Sequence, residues 1–96
     1  MDLEYLKQFR AIKEVADIIN EIEKLDSLVC QNEWDEVRKH LQDVSYNHSV
    51  EKAVHNSVNH SQPQSIQQDA ANCRHFLVTL GMAKITEATL KHLGGN

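Results

Sequence analysis

Proline occurs once in the 96 residues, at Pro63, and the three glycines all fall at or after residue 81. Without glycine earlier in the chain there is no phosphate-cradling loop and no glycine-rich elbow to present a serine nucleophile. Only five aromatic residues are present (Tyr5, Phe9, Trp34, Tyr46 and Phe76), so the core must be mostly aliphatic. An aliphatic core suits packed helices better than a β-sandwich. The two cysteines, Cys30 and Cys73, form no C-x-x-C pair, and both sit in helical apolar patterns that predict buried, reduced thiols of a cytoplasmic protein. No continuous apolar run is long enough for a membrane span or a signal peptide. A basic stripe is missing as well. The net charge is −4, with seven acids against four bases in residues 1–30, which argues against nucleic-acid binding and mainly supports solubility.

What is present is ordinary globular composition, 41% apolar and 25% charged, in a chain long enough for one domain with one core. Residues 1–96 therefore read as a single helical domain. Leu3, Leu6, Phe9, Ile12, Val15, Ile18, Ile19, Ile22, Leu25 and Val29 recur at steps of three and four, which predicts one amphipathic helix over nearly the first thirty residues. Asn32 is placed to cap a second helix, with Glu33, Asp35 and Glu36 at its positive end and Trp34, Val37, Leu41 and Val44 as its apolar row. Val50, Ala53, Val54 and Val58 predict a short third helix ending near His60. SQPQS is the clearest loop. Ser65 and Gln68 form a capping-box pattern opening a fourth helix with Ile66, Ala70, Cys73, Leu77 and Leu80 in register. At Gly81 the stripe loses phase, so a break or kink there and then a short fifth helix ending at Gly94 and Gly95 are expected. No stretch alternates as a half-buried strand does. The fold class is all-α, a four-helix bundle or a variant with a short fifth C-terminal helix.

Three clusters invite a chemical reading. SYNHSVEKAVHNSVNH, residues 45–60, holds three of the six histidines. His48, Glu51 and His55 at i, i+3 and i+7 fall on one helix face and could serve as a zinc or iron triad. A one-helix triad has no evident fourth ligand, and it lies beside the apolar face of Val50, Val54 and Val58 rather than on it. A solvated histidine-rich face is the preferred reading, and no cofactor is assigned.

His75 stands opposite the apolar stripe of the fourth helix. That layout resembles histidine phosphotransfer domains, which follow the histidine with lysine and glycine at the third and fourth positions; here Val78 and Thr79 stand there. Leu80–Gly95 resembles a helix-turn-helix in outline, but Glu87 occupies the place of its apolar anchor and Lys84, Lys91 and His92 are thin equipment for DNA. Cys73 points inward and His75 outward, so they form no catalytic dyad.

By elimination the chain reads as a non-catalytic protein-binding module: an adaptor, inhibitor or regulatory subunit whose partner is another protein, with self-association into a homodimer possible. A metal- or small-ligand-binding bundle is the alternative, and a phosphotransfer-like protein comes third. The location expected for the interface follows from length. A first helix of roughly 40 Å needs two shorter helices end to end to cover it, and the third is poorly apolar. Leu6, Phe9 and Ile12 are therefore expected to stay uncovered and to form the interface.

Overall fold

The computed structural model describes residues 2–48 and 63–94, and among them there are four helices and no strand: α1 (Asp2–Lys7), α2 (Lys13–Cys30), α3 (Trp34–His48) and α4 (Pro63–Gly94). The all-α class read from the sequence is the class observed. The predicted third helix over Val50–Val58 lies outside the described residues.

The first thirty residues are two helices rather than one. Between Gln8 and Ile12 the chain turns on short-range hydrogen bonds, Gln8 N to Tyr5 O, Phe9 N to Leu6 O and Ile12 N to Phe9 O, at 3.3, 2.9 and 2.9 Å. No proline or glycine causes this. The reason is tertiary: folding back lets α1 pack on both α2 and α4 and takes Leu6 to 0% exposure. On a straight helix, Leu3 and Leu6 would run past the end of their cover. Arg10 Nη2 then reaches Glu23 on α2 at 3.1 and 3.2 Å, an exposed pair that adds little energy.

α2 and α3 are joined by a three-residue connection whose geometry reassigns Asn32. Asn32 has φ 57°; its N–H bonds to Val29 O, and that of Glu33 bonds to Leu28 O, at 3.1 and 3.0 Å. These two bonds are the 5→2 and 6→1 pair of a Schellman motif, in which asparagine substitutes for glycine in the left-handed position. Asn32 therefore ends α2 and does not cap α3. Glu33 precedes α3, and its carbonyl accepts from Val37 N at 2.8 Å. α3 also runs to His48, one turn beyond Val44, the last residue of its predicted apolar row.

α4 begins at Pro63, two residues ahead of the predicted Ser65 cap. A proline is compatible with the first helical position because its missing N–H would have had no helical partner. The helix then continues for 32 residues without a break, so Gly81 does not end it and no separate fifth helix exists, and the helix-turn-helix outline is removed with them. The change of phase is real but has another cause. Ile66, Ala70, Cys73 and Leu77 are buried on one side, whereas Val78, Gly81 and Ile85 are buried about 80° further round at 100° per residue. The first set faces α2 and α3. The second faces α1, which lies at a different azimuth.

Gly81 is the close-approach point of that second face. A Cβ added there would stand 2.9 Å from Leu6 Cδ2 and 3.2 Å from Cδ1, so the missing side chain is the space that Leu6 fills. Around these contacts the core closes, with Val15, Ile18, Ile19, Ile22 and Leu25 of α2 against Val37, Leu41 and Val44 of α3 and the buried side of α4.

Leu6 and Gly81 should therefore be energetically coupled. Leu6→Ala is expected to cost about 2–5 kcal/mol. Gly81→Ala gains helix propensity, about 1 kcal/mol, but meets Leu6. In the Leu6→Ala background that clash is gone, so Gly81→Ala should be more favourable there than in the parent by at least about 1 kcal/mol, measured by urea unfolding of the four proteins. Additivity within about 0.5 kcal/mol would show that the close approach has no energetic content.

Candidate functional site

The histidines of α3 converge on a single residue of α2. His40 is buried at 5% exposure, and its Nε2–H donates to the backbone carbonyl of Glu21 at 3.0 Å. His48, one turn beyond Val44, donates from Nε2 to Glu21 Oε2 at 2.7 Å, with both side chains about one-fifth exposed. Glu21 thus holds two turns of α3 with one backbone oxygen and one carboxylate oxygen. On α4, burial, with the charge of Glu21 second, pushes the Cys73 thiol up to about 12.

This arrangement is suited to holding structure and not to nucleophilic chemistry. A thiol pushed so far up carries almost no thiolate near neutrality. His48 Nε2 is used on Glu21 and is not open as a metal ligand in this geometry. Glu51 and His55, the other two members of the predicted triad, lie outside the described residues. Among the described residues no group of three or more histidine, cysteine, aspartate or glutamate side chains is placed to hold a metal ion. No buried side-chain nitrogen or oxygen among them lacks a hydrogen-bond partner.

Of the predicted interface residues, Leu6 is spent inside the chain, under Gly81. Its burial follows from the reversal at residues 8–12, which the continuous first helix did not anticipate. Phe9 and Ile12 are half-buried and pack against the core, Phe9 with its ring 5.3 Å from that of Tyr5. His75 is exposed, as its phase on the helix required. Cys73 is buried as expected, but Cys30 is exposed: it is the last residue of α2, where the helix rotation carries it off the face held by Leu25.

Two features were not anticipated. The first is the tip of α4. Asp26 on α2 pairs with Arg74 on α4 at 3.0 Å, and the two helices run antiparallel, so the start of α2 at Lys13 falls opposite about residue 87. The last turns of α4 extend beyond it. There Leu90 and Leu93 are 64% and 74% exposed; Met82, earlier on the helix, is 38% exposed. On a continuous helix these leucines stand roughly 160–220° round from Leu77, a phase visible in the sequence once the break at Gly81 is removed.

The second feature is a groove of about 360 Å³ between α2 and α4, lined by Leu25, Asp26, Val29, Ala70, Ala71 and Arg74 among others. The adjacent alanines at 70 and 71 are its sequence signal, since short side chains there leave the helices unfilled.

No helix among the described residues is long and apolar enough to cross a membrane. No protein-family model, curated protein or solved structure matches the chain, so the functional reading rests on these surfaces.

The two cysteines should separate cleanly. In the native protein a disulfide reagent at pH 8 should label Cys30 within minutes and leave Cys73 untouched until denaturant is added. The raised thiol also has a pH signature. With an unfolded value near 9.0 and a folded value of about 12, the unfolded chain loses this proton first. Stability is then fully present below pH 9 and falls through the window up to about 12, at up to about 1.4 kcal/mol per pH unit. Cys73→Ala should flatten that part of the profile in chemical unfolding. An unchanged alkaline slope would mean that Cys73 does not carry it.

Proposed function

We propose that this chain is a non-catalytic protein-binding module, working in the cytoplasm, whose contact surface is the exposed apolar face on the last turns of α4. The observation that carries this reading is the exposure of Leu90 and Leu93 on a helix whose other half is firmly packed. Contiguous exposed apolar surface of this kind is where interaction sites are found.

The neighbours on that face support it. Ala83, Thr86, Leu90 and Leu93 follow at steps of three, four and three, the seam spacing for a facing helix. The hydroxyls of Thr79 and Thr86 donate to the carbonyls of His75 and Met82 in their own helix, each at 3.0 Å. Covering this face would strand neither hydroxyl, because both keep their bonds when water leaves. A partner's amphipathic helix laid along the tip fits this chemistry, which is that of an adaptor, inhibitor or regulatory subunit. The mixed charges of Lys84, Glu87 and Lys91 give no reason to place nucleic acid there.

The test is a photo-crosslinking residue at Leu93, compared with the same residue at the exposed Gln42 of α3, in cells that make the protein. A discrete adduct is expected from position 93 and not from 42, and it should vanish with Leu90→Asp. Being on the surface, that substitution should change unfolding free energy by no more than about 0.5 kcal/mol. The adduct mass separates a second copy of the chain from a different protein. Equal labelling from both positions, or an adduct indifferent to Leu90→Asp, would overturn the reading.

A further inference from the structure

We draw no further inference here: the strongest candidate, the aliphatic groove between α2 and α4 lined by Leu25, Val29, Ala70 and Ala71, has its one arginine, Arg74, already paired with Asp26 of the same groove, and nothing in the structure shows what covers it.

Discussion

The contact between Leu6 and Gly81 determines more of this molecule than any other pair. The end of the Leu6 side chain lies 2.9 Å from where any other residue at 81 would carry a Cβ, and the glycine allows α1 to lie close against α4. Three consequences follow. The chain must reverse between Gln8 and Ile12 to deliver Leu6; α4 must stay helical through its glycine to receive it; and the buried side of α4 must rotate to meet α1 after meeting α2 and α3. Glycine in a helix interior is unfavourable by itself. Here the lost helix propensity is offset by the burial of a whole leucine side chain.

A second constraint sits at the other side of α2. Glu21 ties His40 through its backbone oxygen and His48 through its carboxylate. The first of these bonds satisfies a buried ring nitrogen that would otherwise be costly. Together they set the register of α3 on α2 more narrowly than the aliphatic contacts of Val37, Leu41 and Val44 could, since those tolerate sliding while a hydrogen bond does not. Histidine in α3 is therefore better understood as packing chemistry than as a ligand reserve.

How much of this was legible in the sequence depends on whether the signal was local. The all-α class, the core membership of Ile18, Ile19, Ile22, Leu41, Cys73 and Leu77, and the outward placement of His75 follow from periodicity, and the structure agrees. The break between α1 and α2 does not. Its residues QFRAIK contain no helix-ending signal, and Ile12 begins α2 without any side-chain cap, so only the distant glycine explains it. Gly81 and Asn32 were visible as special residues, but each has two local meanings. A glycine either ends a helix or admits a close neighbour, and an asparagine either starts a helix or stops one. The partner across the fold decides, and it lies 75 residues away in one case and in the preceding turn in the other. The tip and the groove are defined by what does not cover them, which periodicity alone does not reveal.

The uninterrupted course of α4 also bears on how its far end exists as a helix at all. An isolated peptide as short as its last turns would be mostly coil in water, because the first turn must be nucleated at a large entropic cost. Here nucleation has already been accomplished by the packed half of the same helix. The tip needs only to propagate, residue by residue, from a template held rigid at Ile85. Its leucines are therefore presented at helical spacing by a largely exposed segment, whose helical order is propagated along the backbone from the core.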